Sequence, residues 1–154
     1  LSGVGFTSQG DHFGAPYRRT PQSYSSNVSW IFDGILDDIV GDFGLSGGGA
    51  AGFELDRADT ALGTPLNATI VASSESHDES FVLVPEDILT HHDTWSHQPV
   101  KDLIRADIVY FETTNGGSVF SVGSITFCGI LPVNNCNNNI SKMIDNVLRK
   151  FLGN

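Results

Sequence analysis

Glu54 is the acid whose surroundings invite chemistry. It stands one residue after the run Gly47-Gly48-Gly49-Ala50-Ala51-Gly52, between Phe53 and Leu55. A carboxylate between apolar neighbours is expected to lose water, and desolvation raises a carboxyl pKa. A general acid or base working near neutral pH needs that property. The other reading is a structural carboxylate paired with Arg57, three residues on. The local sequence leaves both open. Asp56 and Asp59 are assigned to loop amides or to Arg57. Gly48, Gly49 and Gly52, with Arg57, form the supporting set, because such a run suits a loop whose backbone comes close to something.

Other patterns compete with this one. Gly44-Leu45-Ser46-Gly47-Gly48 matches G-x-S-x-G, and Ser46, Asp93 and His97 occur in triad order. A nucleophile elbow needs a strong strand before the serine and a helix after it, and neither is written here. Gly47, Gly49 and Gly52 also fit G-x-G-x-x-G, but no βαβ unit surrounds them. No Walker lysine follows. His77, His91, His92 and His97 with Asp93 suggest a metal, yet their spacing matches no ligand pattern and reads as a polar loop. His77 has a separate, positional case as a catalytic residue. It follows the apolar run Thr69–Ala72, and in α/β sheets ligands bind beyond the C-terminal ends of strands. Cys128 and Cys136 form no CxxC pair and read as reduced thiols.

The elements that must hold these residues are mostly short. Residues 1–27 are loop-like, with Gly, Ser, Pro and Thr clusters. Val28–Phe32, Ala68–Ala72 and Ser80–Val84 read as strands, and Pro85 opens a helical turn over Glu86–Leu89. Ala106–Thr113, then Asn115-Gly116-Gly117, then Ser118–Thr126 predict an antiparallel hairpin whose second strand ends over Phe127–Pro132. Ile140, Met143, Ile144, Val147, Leu148 and Phe151 form one apolar stripe of a final helix. An asparagine of the 134–139 cluster caps it, and Gly153 ends it. The expected class is α/β: a mostly parallel sheet, an antiparallel C-terminal hairpin and a covering C-terminal helix.

Composition bounds the rest. The chain has 154 residues, which suits a single domain over 1–154. Eighteen acidic against eight basic side chains give a net charge of −10, which argues against a nucleic-acid partner. No apolar run is long enough for a membrane helix, and no secretory leader is visible, so a cytoplasmic setting is expected. The chain opens at Leu1 and its only methionine is Met143, so it reads as part of something longer.

Several phrases are specific. LSGVGFTSQG (1–10), PYRRTP (16–21), GDFGLSGGGAAGFELDR (41–57), ALGTP (61–65), ADIVYFETTNGG (106–117), VFSVGSITFCG (119–129) and NISKMIDNVLRKF (139–151) run in order. Together they resemble the C-terminal part of the large (β) subunit of N,N-dimethylformamidase and its homologues. The resemblance implies a glutamine-amidotransferase-like (flavodoxin-like) α/β domain, of which this chain is the C-terminal portion, preceded by a lectin-like β domain. It implies hydrolysis of an amide to an amine and a carboxylate by a mononuclear iron held by two tyrosines and one glutamate. Those ligands are expected upstream, with no metal ligand in this chain and none of Tyr17, Tyr24 or Tyr110 assigned to the set. A further active-site glutamate falls on Glu54. Its role would be to take a proton from an iron-bound water and return it to the leaving amine.

The expected function is therefore that of a C-terminal fragment of an iron-dependent amide hydrolase, inactive alone. Its expected partners are a small amide substrate, the upstream portion of its own large subunit and a small subunit, with a homo-oligomer left open. The alternative is a non-catalytic α/β ligand-binding or assembly module. A self-contained hydrolase acting through Ser46 is a third reading.

Overall fold

Antiparallel pairing, not a parallel sheet, organises this chain. The computed structural model describes residues 1–11, 13–44, 47–85 and 99–153. Ser46, His91, His92, Asp93, His97 and the turn over Glu86–Leu89 lie outside the described residues. Eight strands occur among the described residues: β1 (Gly5–Gln9), β2 (Tyr17–Arg19), β3 (Ile39–Val40), β4 (Glu54–Arg57), β5 (Thr69–Ser74), β6 (Val82–Leu83), β7 (Asp107–Glu112) and β8 (Ser118–Ser121). They form a three-stranded sheet, β4-β1-β6, and a five-stranded sheet, β3-β2-β5-β7-β8. Every strand pair in both sheets is antiparallel.

This overturns the mostly parallel, flavodoxin-like α/β expectation. Parallel neighbours need crossover connections of a dozen or more residues, usually helical. Here the neighbours β7 and β8 are joined by a short turn and pair antiparallel. The one long helix among the described residues, α3 (Asn139–Leu152), follows the last described strand and so bridges no described pair. The misleading signal is burial on both faces. In β7, Asp107 to Phe111 are all buried, so the strand reads as a continuous apolar run although its partners are antiparallel.

Two shorter segments also differ from expectation. Val28–Phe32 is not a strand; Ser29–Phe32 forms a 3-10 turn. Val28, Ile31 and Phe32 are buried, a spacing of i, i+3 and i+4 that suits a helical turn better than alternation. Asn146 of α3 ties the turn down by donating to Ile31 O at 3.0 Å and Asp33 O at 2.9 Å. The end of the second hairpin strand is helical too: β8 stops at Ser121, and α2 covers Phe127–Ile130 after the short α1 (Val100–Leu103).

The hairpin of β7 and β8 turns through Thr113–Gly117, with Thr113 N donating to Gly117 O at 2.7 Å and Gly116 at φ 84°. Asn138 caps α3 by accepting from Ser141 N at 2.8 Å, and Gly153 closes it at φ 75°. On α3, Ile140, Met143 and Val147 are buried in the core, whereas Leu148 and Phe151 of the same stripe are exposed. The core is shared by Tyr17, Val71, Ile108, Phe127 and these helix residues, and it lies between the five-stranded sheet, the 3-10 turn and α3. No described helix is long and apolar enough to cross a membrane.

Candidate active site

Glu54 opens β4, and a turn decides where it goes. Glu54 N donates to Gly52 O at 2.8 Å, closing a three-residue turn around Phe53. Phe53 has φ 59°, the left-handed region that a residue with a Cβ enters at a cost of about 1–2 kcal/mol. This is the strained form of such a turn. Gly10 N holds it by donating to Phe53 O at 2.8 Å.

From there β4 alternates. Leu55 and Arg57 are buried, while Glu54 is exposed and Asp56 half-buried. Strand neighbours at i±1 point to the opposite face. Leu55 therefore does not shield Glu54, which is exposed. Instead Glu54 lines an open hollow of about 410 Å³ with Phe53, Ile125, Thr126 and Gly129. The pairing with Arg57 is absent for the same reason. Arg57 points inward, donating to Leu103 O at 2.9 Å and to Asp59 Oδ2 at 3.3 Å. Asp59 meets its expectation, since its Oδ1 also accepts from Ala61 N at 2.9 Å. Asp56 does not bond a loop amide; its side chain stands on Glu54's face.

The glycine run does approach something closely, namely the chain's own backbone. Ala15 and Ala51 exchange two hydrogen bonds, 2.7 and 2.9 Å, and Gly14 N donates to Gly47 O at 3.1 Å. A Cβ at Gly49 would lie 2.4 Å from Gly14 C and 2.5 Å from Ala15 N. Gly52 is fastened on the other side: its N–H donates to Ser124 Oγ, and Ser124 Oγ donates back to Gly52 O, both at 2.9 Å. Thr126 Oγ1 adds a bond to Ala50 O at 2.9 Å. Gly48 lies at φ 83° with open space around it. Ser124 and Thr126 are support residues with no signal of their own in the sequence.

His77 sits in a different place. It follows β5 and lines a hollow of about 710 Å³ with Ser74, Phe81, Lys101, Asp102 and Arg105 among others, sharing no lining residue with the hollow at Glu54. Its ring packs on Phe81 with centroids 4.6 Å apart. Ser74 Oγ accepts the Ala106 N–H at 2.7 Å and is hydrogen-bonded to His77 Nε2 at 2.6 Å. Burial pulls the imidazole pKa down to about 4, against a smaller upward pull from Asp78. A neutral folded-state imidazole contributes stability that is fully present above the unfolded pKa, near 6.5, and is lost as pH falls towards 4. Thermal melts are therefore expected to fall across that window, and less steeply in His77→Gln. Parallel curves for the two proteins would refute this.

Among the described residues, no three histidine, cysteine or carboxylate side chains converge as a metal site. Tyr17 OH donates to Val122 O at 2.5 Å, Tyr24 OH donates to Asp38, and Tyr110 OH donates to Glu112 and Ser118, each at 3.2 Å. The tyrosines present thus do not make a two-tyrosine, one-glutamate set.

Comparison with known proteins identifies the family. Residues 1–139 match the family described as N,N-dimethylformamidase beta subunit-like, C-terminal. The chain belongs to that family. An N,N-dimethylformamidase beta subunit of Paracoccus aminophilus is 44% identical over 97% of this chain. One from an Alcaligenes species is 43% identical over the same share. The chain spans 20% of the length of each of these dimethylformamidase subunits, so it corresponds to a fragment of such a protein. Both relatives are named as subunits.

Proposed function

We propose that this chain supplies the acid/base carboxylate, Glu54, to a dimethylformamidase-like amide hydrolase whose remaining parts lie in the longer protein. The observation that carries the reading is the presentation of Glu54. A strained turn, pinned from both sides, directs a carboxylate with no described hydrogen-bond partner into an open hollow. A side chain serving only structure would be paired or solvated at random, and strain of this kind collects at functional positions.

The chemistry follows from what an amide demands. Water attacking the carbonyl carbon must lose a proton, and the C–N bond breaks only when the nitrogen leaves as a neutral amine. Glu54 takes the proton from the attacking water and delivers it to that nitrogen, so the products are an amine and a carboxylate. The iron implied by the resemblance has no matching ligand set among the described residues here. In this reading it belongs to the upstream portion of the large subunit, which also closes the open hollow.

The test uses the full-length protein beside the isolated chain. Iron content and release of dimethylamine from N,N-dimethylformamide, with other small N-alkyl amides in parallel, should be positive for the former and absent for the latter. A full-length protein that releases no amine from any of them would favour a non-catalytic assembly module.

A further inference from the structure

The segment that faces Glu54 is fastened on both sides of one residue. Gly52 N donates to Ser124 Oγ, which donates back to Gly52 O, and Ser124 also pairs with Leu55 in an isolated antiparallel bridge. Thr126 Oγ1 donates to Ala50 O at 2.9 Å. Phe127, next along the chain, is buried and meets the Tyr17 ring edge-on, with centroids 6.2 Å apart. Ile125 stands between these anchors, so its backbone keeps a fixed place relative to the turn that carries Glu54. Its side chain nevertheless stays out of the core: it is 63% exposed and lines the same hollow as Glu54. The rest of that lining is the Phe53 ring, Thr126, whose hydroxyl is committed to Ala50 O and Ser124, and Gly129 of α2, which has no side chain. One carboxylate therefore shares the hollow with mainly apolar surface, the make-up of a site that orients a small neutral molecule.

Resting on the reading of Glu54 as acid/base, we propose that Ile125 determines specificity by touching the alkyl groups on the amide nitrogen. A carboxylate that returns a proton to that nitrogen must lie beside it, within hydrogen-bond reach. The substituents on nitrogen, not the acyl group, then share the hollow with Glu54. An alkyl group asks for no hydrogen bond and gains by leaving water against the Ile125 side chain and the Phe53 ring. An N–H in the same place would find no acceptor side chain in the lining apart from Glu54 and the committed Thr126 hydroxyl. Ile125 sets how much room the alkyl groups have, because the bonds of Ser124 and Thr126 keep its backbone from drawing back. On the far side, a Cβ built at Gly129 meets no atom within 4 Å, so the hollow has space there.

The experiment compares kcat/KM of the full-length protein for N,N-dimethylformamide, N,N-diethylformamide, which is larger on nitrogen, and N,N-dimethylacetamide, which is larger on the acyl side. Ile125→Ala removes three carbons from the wall. It should raise the diethyl-to-dimethyl ratio by about 10-fold, the lower end of what a methylene-sized difference contributes to discrimination. The acetamide-to-formamide ratio should stay at the parent value, because the acyl group lies elsewhere. Ile125→Val should fall between parent and alanine, and it carries the test should Ile125→Ala fail to fold. A diethyl-to-dimethyl ratio unmoved in each folded variant overturns the inference. So does an equal loss on all three amides, which would set Ile125 against the rest of the protein and not against substrate. Loss of turnover in Glu54→Gln with unmoved ratios in the Ile125 variants would reject Ile125 alone, whereas normal turnover in Glu54→Gln would reject the acid/base reading and this inference with it.

Discussion

Glu54→Gln in the full-length protein is expected to lower kcat/KM for amide hydrolysis by about 10²–10⁴-fold, the usual contribution of a positioned general acid or base. The substitution keeps size and shape and removes only the ability to accept and return a proton. Stability should barely change, because Glu54 is exposed and has no described ion-pair or hydrogen-bond partner. Surface replacements away from such contacts stay within about 0.5 kcal/mol. The diagnostic result is therefore a split: turnover collapses while the thermal midpoint holds. A variant that hydrolyses amides at the parent rate would remove Glu54 from the mechanism. A variant that loses its fold would show that the carboxylate has a structural partner in the rest of the protein.

Gly49→Ala is expected to be the most damaging single-methyl change in the site. The added carbon would sit 2.4 Å from Gly14 C, 2.5 Å from Ala15 N and 2.6 Å from Ala15 C. These are backbone atoms, so no side chain can swing aside. Relief requires parting the two segments and losing the Ala15–Ala51 hydrogen bonds, each worth about 1 kcal/mol net. With overpacking costs of about 1–3 kcal/mol, the loss should reach about 3 kcal/mol or more. Gly48→Ala is the control. Its Cβ meets open space and only the left-handed φ of 83° is penalised, at about 1–2 kcal/mol. Denaturant melts of the two variants rank them. If Gly49→Ala is the milder, the packing account of the loop is wrong.

The same two glycines show what can be read from a sequence. A dense glycine run was legible as a place of close backbone approach. What it approaches was not, because the partner, Gly14-Ala15, is distant in sequence and carries no pattern. Glu54 was legible as a candidate, but for a reason that fails in three dimensions. Leu55, inside the strand, turns away from the acid it flanks, and the hollow is completed by Ile125 and Thr126 from far along the chain. The final helix and the β7–β8 hairpin could be read because their signals are local: a 3.6-residue period, a capping asparagine and an Asn-Gly turn. The parallel sheet was misread because a strand buried on both faces looks the same whichever way its neighbours run. β1 and β2, which lie within residues 1–27, are short and bordered by glycine and proline, so their pairing partners define them more than their own residues do.

The bonds that hold the loop before Glu54 also fix when the site comes into being. Gly52 is gripped by Ser124 and Ala50 by Thr126, across 72 and 76 residues of chain. Contacts of such separation close late, after local turns and hairpins have formed. On a ribosome, the loop is held only from the side of Gly10 and Ala15 until residue 126 has emerged. A product terminated between residues 57 and 124 would contain the whole glycine run and Glu54 yet leave the loop fastened on one side alone.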